Sequence, residues 1–237
     1  MTSLLDWVKL LGKSSMRKVP TPSGRFAFQL YFDDLGEIDE ICLQALKRQS
    51  LMPPTPAPVR IDRFVEKQFR TALRYEDLGP DILGYTVFNS SGAVDAIVVS
   101  RSLEEQNTTA ARRRVRSTVA HEAGHGLLHG SLFIGDNFPD LGENERRILC
   151  RSEDILVDTQ RSYRGRWWEF QANQAIGSLL LPRPLMNAFL DQSGIKLPST
   201  GTRILTPAQR ESLAKKAAVT FDGNPIVARI RLDSLFR

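Results

Sequence analysis

Downstream of Pro58 the apolar positions of the chain fall into clear periods. In "VRIDRFVEKQFR", Ile61, Phe64, Val65 and Phe69 share one helical face. "TALRYEDL", "ILGYTVFN" and "DAIVVS" are short and rich in branched or aromatic residues, as strands are. "NSSG" (89–92) separates the last two, as a hairpin turn would. A helix therefore leads into a small, mostly antiparallel sheet. "NTTAARRRVRSTVAHEAGHGLLHG" follows as a long helix, with Asn107 or Thr108 as N-cap and Gly130 as the stop. Residues 131–165 keep no period and read as a long loop with one short helix at "ENERRILCR". "WWEFQANQAIGSLLL" is a helix that stops at Pro182, and "RPLMNAFLDQSG" is a shorter one. In "TPAQRESLAKKAAVTF", Thr206 caps a helix with Pro207 at its first position. "NPIVARIRLDSLF" closes the chain as a last helix.

Residues 1–50 carry weaker patterning: "LLDWVKLL" reads as a short amphipathic helix, "FAFQLYF" as a strand and "EIDEICLQALKRQ" as a helix. The four prolines of "MPPTPAPV" (52–59) forbid regular structure and mark a linker or stiff lead-in. The fold class is α+β, without internal repeats. Residues 1–57 form an N-terminal extension and proline-rich linker, 58–195 the core, and 196–237 a C-terminal helical subdomain.

Composition narrows the classes. Apolar residues make up 41% and charged residues 25% of the chain, ordinary for a domain that buries a core. No stretch approaches the ~20 apolar residues of a membrane span, and the first residues lack the apolar segment and cleavage site of a signal peptide. Two cysteines, Cys42 and Cys150, are too few for a disulfide framework and fit a reducing cytoplasm. The net charge of +5 comes with arginine-rich stretches, "AARRRVRS", "RSYRGRWW" and "ARIRLDSLFR". A solvated helix face is favoured over a nucleic-acid surface for these runs.

The chemistry concentrates in "TVAHEAGHGLLHG" (118–130), which holds all three histidines of the chain. His121 and His125 stand four apart on one helical face. Two imidazoles at that spacing can reach one cation at the Zn–N distance of about 2.0–2.1 Å. Glu122 lies about 60° around the helix from His125, so it can act on solvent at the metal without ligating it. This is the H-E-x-x-H pattern of zinc hydrolases. A catalytic zinc takes three protein ligands and keeps one position open. His129 lies about 12 Å along the helix from His121, too far for one ion to hold both easily; it reads as a half-buried residue at the helix end or a substrate-side group, with the structural role favoured. Glu169, in "WWEFQANQAIGSLLLP", is the better third ligand because a helix presents it rigidly. Asn173 follows one turn later and can accept a hydrogen bond from a ligating histidine. Glu143, Glu145, Glu153 and Asp154 also follow the motif, but in the predicted loop.

Together "RVRSTVAHEAGHGLLH" and "WWEFQANQAIGSLLLPRPLM" resemble the ImmA/IrrE metallopeptidases of bacteria and their phages. Those proteins pair an H-E-x-x-H helix with a later E-x-x-A-(N/D) helix running into an "LLMP"-like end; here Glu169, Ala172, Asn173 and "LLLP" (179–182) stand in those places. The likeness covers roughly residues 58–236. It implies a minimal, zincin-like (gluzincin-type) protease core, with His121, His125 and Glu169 as zinc ligands and Glu122 as general base. It further implies a protein substrate, namely a helix-turn-helix repressor whose loss switches on mobile-element or stress genes. The residues 131–165 and the first 50 residues depart from that pattern.

For proteolysis, Tyr163, Arg161, Arg164 or Arg166 could stabilise the oxyanion, and "DAIVVS" could act as the edge strand that an extended peptide joins. Two rival classes stand beside this one. A non-proteolytic module could bind a repressor or DNA on the same fold, though such a site has no need of Glu122. A structural zinc site is usually closed and cysteine-rich, which two distant cysteines do not suit, although Cys150 could approach the metal as an inhibitory ligand.

Overall fold

A computed structural model describes residues 15–18, 28–32, 34–134, 147–151, 166–195 and 205–236. Two short strands, β1 (Ser15–Lys18) and β2 (Phe28–Tyr31), pair antiparallel. Helix α1 (Leu35–Arg48) starts where the Asp34 side chain accepts from the Gly36 amide. It buries Ile38, Ile41, Cys42, Ala45 and Leu46, a stripe at helical spacing. After the proline-rich lead-in, α2 (Ile61–Phe69) buries Ile61, Phe64 and Val65, the face expected from the sequence.

The main sheet contains β3 (Leu73–Glu76), β4 (Ile82–Phe88), β5 (Val94–Ser100) and β6 (Arg147–Arg151), in the order β3-β5-β4-β6. β4 pairs antiparallel with β5 and with β6, whereas β3 runs parallel to β5. Two expectations change here. The short helix anticipated within "ENERRILCR" is strand β6 over 147–151. Pairing with β4 and burial of the β-branched Ile148 override local helix propensity. β5, the anticipated peptide-accepting edge, is flanked on both sides, because β3 occupies the backbone groups a guest strand would need. The edges of the described sheet are β3 and β6.

In the β4–β5 turn, Asn89 Oδ1 accepts from the Ser91 and Ala93 amides, and Gly92 adopts φ +75°. A Cβ on Gly92 would lie 2.3 Å from the Gly130 carbonyl oxygen. Only glycine lets this turn abut the end of the next long helix.

The short helix α3 (Arg101–Glu104) precedes α4 (Thr109–Leu128). The Thr108 hydroxyl caps α4 by accepting from the Ala111 amide at 3.0 Å. α4 packs against β4, β5, α2 and α5 (Trp167–Leu180). The chain then continues through α6 (Arg183–Gln192), α7 (Pro207–Thr220) and α8 (Pro225–Leu235). Thr206 and Gln209 form a reciprocal capping box at the start of α7. One apolar cluster joins α1, α2, the sheet, α4 and the C-terminal helices. Among the described residues, no helix is long and apolar enough to cross a membrane.

The arginine run of α4 makes contacts within the molecule. Arg112 grips Asp222 with two hydrogen bonds of 3.0 Å, and Arg113 donates to the same carboxylate at 3.2 Å. Arg116 donates to the Asp222 carbonyl at 2.9 Å and to the Val59 carbonyl at 3.0 Å. The run thus ties α4 to the α7–α8 turn and to the lead-in before α2. Hydrogen bonding to Arg112 leads in holding the Asp222 carboxyl below its usual range.

Asp222 sits at φ +46°, a conformation asparagine also tolerates, so Asp222→Asn removes the charge without straining the backbone. We expect it to destabilise the fold by about 0.5–1 kcal/mol at neutral pH, since ion pairs that face solvent are screened. A carboxylate with a depressed pKa contributes stability that is present above the unfolded value of about 3.9 and is lost as pH falls through the lower folded value. Wild type and variant should therefore converge in acid. Urea melts at pH 7 and pH 3 check this, and an unchanged gap between them would count against the clamp.

Candidate metal centre

α4 carries His121 and His125 one turn apart, and α5 carries Glu169 in its first turn. The two helices approach closely at Gly124, where α4 has no side chain and α5 presents Ala172 and Ala175. A Cβ on Gly124 would sit 2.8 Å from the Ala175 Cβ and 3.2 Å from the Ala172 carbonyl oxygen. Ala172 and Ala175 are themselves fully buried. This crossing sets Glu169 opposite the two histidines, 44 positions beyond His125 in the chain.

The donor atoms converge. His121 Nε2 lies 3.0 Å from Glu169 Oε2 and 3.0 Å from His125 Nε2. His125 Nε2 is 3.5 Å from the same carboxylate oxygen. All three side chains are buried, and one ligand atom from each falls within 4.8 Å of the others. Burial opposes the charge on Glu169, but the His125 and His121 imidazoles outweigh it and hold the carboxyl well below its usual range. The contact expected of Asn173 is found, with its Oδ1 3.0 Å from His121 Nδ1.

The set fits a divalent ion such as zinc. Two imidazole nitrogens and one carboxylate oxygen are its ordinary ligands. Each histidine turns one nitrogen into the cluster and hydrogen-bonds the other outward, the arrangement that orients metal-ligating histidines. His121, His125 and Glu169 thus form a buried cluster able to hold a metal ion.

Glu122 is fully buried on the side of α4 that meets the sheet. The Thr86 hydroxyl, on β4, stands 2.7 Å from Glu122 Oε2 and 3.0 Å from the Glu122 carbonyl. With one proton to give, the hydroxyl favours the carboxylate, where the bond is charge-assisted.

His129 stays out of the cluster. It is fully buried, makes hydrogen bonds to His125 and Gln171, and meets the Trp167 ring edge-on at 5.6 Å between centroids. Burial first, and the neighbouring His125 second, push its pKa down to about 3. Arg166 caps α5 with its main chain, its carbonyl accepting from the Glu169 amide at 3.1 Å. Cys150 pairs with Gly84 in the β6 register. Burial leads in pushing the Cys42 thiol far up, which keeps it unreactive. Glu143, Glu145, Glu153, Asp154, Arg161, Tyr163 and Arg164 lie outside the described residues.

Two contributors escape a reading of the sequence. Thr86 sits in an ordinary strand 36 positions before Glu122. Gln171 carries no signal beyond its nearness to Glu169. Neither a protein-family model nor a curated protein matches this chain.

Gly124→Ala should separate α4 from α5. A zinc titration by calorimetry should then show affinity reduced about 10–100-fold, the loss typical when the support of a ligand is disturbed. Overpacking should cost about 1–3 kcal/mol of stability. Wild-type affinity in this variant would mean that the crossing does not set the cluster.

Proposed function

We propose that this chain is a zinc-dependent endopeptidase with a minimal, zincin-like core. His121, His125 and Glu169 hold the zinc, and Glu122 is the general base. The observation that carries this reading is the buried two-histidine, one-carboxylate cluster with a further carboxylate, Glu122, next to His121 on the same helix. A structural zinc has no need of a further carboxylate beside its ligands, whereas Glu122 stands next to His121.

Zinc supplies Lewis acidity: it lowers the pKa of water from 15.7 to about 7 and polarises a carbonyl oxygen. Glu122 accepts a proton from the attacking water and delivers it to the leaving amine, acting as base and then acid. Thr86 orients the Glu122 carboxylate through its hydroxyl, so the base does not rotate away from its task. Asn173 accepts from His121 Nδ1 and directs the opposite nitrogen toward Glu169. The apolar packing of α4 on the sheet and on α5 excludes bulk water from these groups and strengthens their interactions.

The resemblance of the two motifs to ImmA/IrrE metallopeptidases supports a protein substrate of helix-turn-helix repressor type and a cytoplasmic role in derepressing mobile-element or stress genes. Incubation of the zinc-loaded chain with candidate repressors, followed by mass analysis of fragments, tests this. Glu122→Gln should keep zinc and lose cleavage by about 10²–10⁴-fold, the contribution of a general base. Thr86→Val should keep zinc and lower kcat about 10–100-fold, equivalent to a hydrogen bond to a charged group of about 1.5–3 kcal/mol. Undiminished cleavage by Glu122→Gln would falsify the assignment of the base.

A further inference from the structure

A file of hydrogen bonds leads from the metal cluster to the main chain of β2. His125 Nδ1 lies 2.9 Å from His129 Nδ1, and His129 Nε2 lies 3.0 Å from Gln171 Oε1. Gln171 Nε2 then donates to the Leu30 carbonyl at 2.8 Å. Histidine and glutamine can each be turned or protonated in two ways, but a carbonyl oxygen only accepts. Leu30 therefore fixes the direction of every bond behind it.

The deduction runs inward. Gln171 must present its NH₂ to Leu30, which turns its Oε1 toward His129. An amide oxygen accepts only, so His129 carries its hydrogen on Nε2. His129 is fully buried, and its described hydrogen-bond partners are an imidazole and an amide, neither of them a carboxylate. A buried, unpaired charge is too costly there, so the ring is neutral and its Nδ1 bears a lone pair. His125 must then donate from Nδ1. When Nε2 ligates zinc, that is the one hydrogen His125 carries, and it is placed outward, away from His121 and Glu169.

We propose that Gln171 and His129 are positioning residues that set the tautomer of His125, with the Leu30 carbonyl as the fixed end of the file, and thereby raise the affinity of the centre for zinc. This rests on His121, His125 and Glu169 being the zinc ligands. The end point belongs to β2, so a strand 91 positions before His121 helps decide which nitrogen of His125 is available. Neither positioning residue takes a proton in the proteolytic cycle.

Two measurements test this on the full chain. The first is a scalar coupling between the Nδ1 atoms of His125 and His129 in ¹⁵N-histidine-labelled protein, read with and without zinc. Such a coupling passes through an N–H···N hydrogen bond and not through mere contact, so a space-filling His129 would give none. The second is zinc affinity by competition with a chelator. His129→Leu and Gln171→Leu should each bind zinc about 10–100-fold more weakly. His129→Asn, whose Oδ1 stands where the imidazole Nδ1 was, should recover most of the loss. Absence of the coupling, or wild-type affinity in His129→Leu, overturns the proposal. If a leucine variant does not fold, the ¹⁵N shifts of the two Nδ1 atoms in the wild-type chain decide the tautomer: a protonated, pyrrole-type Nδ1 at His125 and a pyridine-type Nδ1 at His129 support it, and the reverse overturns it. A wild-type chain that shows the coupling but binds no zinc overturns the metal reading, and the affinity claim with it, and leaves only the hydrogen-bonded file intact.

Discussion

The contact between Gly124 and the Ala172–Ala175 stretch governs the rest of this molecule. Helices usually pack with their axes 8–10 Å apart, according to the side chains between them. Here, at Gly124, α4 offers no side chain, and α5 presents the Ala175 methyl and the main chain of Ala172. That closeness lets the short reach of Glu169 meet the imidazoles of His121 and His125. A residue larger than glycine at 124 would push apart the three groups that make the cluster, whatever their own chemistry.

Around this crossing the protein accepts an unusual burden of buried polar groups. Thr86, His121, Glu122, His125, His129, Glu169 and Gln171 are all buried in or beside an otherwise apolar interior. Unpaired, such groups cost several kcal/mol each. They are tolerable because they satisfy one another: Thr86 with Glu122, Asn173 with His121, and His129 with His125 and Gln171. The low dielectric that makes them expensive also makes their geometry stiff.

The helix that presents Glu169 is held from several sides. α1 packs along α5, and Asp39 of α1 accepts from Ser178 of α5 and, at 3.0 Å, from Arg231 of α8. Arg231 also donates to the Leu181 carbonyl, just past the end of α5, at 3.1 Å. Gln171 reaches the main chain of β2. On the other helix, Arg112, Arg113 and Arg116 fasten α4 to Asp222. Charges that look like surface features along the chain act as fasteners for the two ligand-bearing helices. The early segment, unpromising as sequence, supplies part of the support on which Glu169 depends.

What the amino-acid order determined alone is local. The spacing of His121 and His125 and the placement of Glu122 follow from helical periodicity, which needs no partner. So do the caps at Thr108 and Thr206, the apolar face of α2, and the stop before Pro182. Glu169 and Asn173 could be selected because their helix was legible and their chemistry suited the histidines. Tertiary structure decided whatever joins distant residues. It set β3 parallel beside β5, made 147–151 a strand instead of a helix, turned the arginine run onto Asp222, and brought Thr86 and Gln171 to the site. Backbone pairing and buried hydrogen bonds reward the partner that the packed interior happens to place within about 3 Å. That partner leaves no periodic mark in the sequence, because its position is set by how the helices and strands close around a common core.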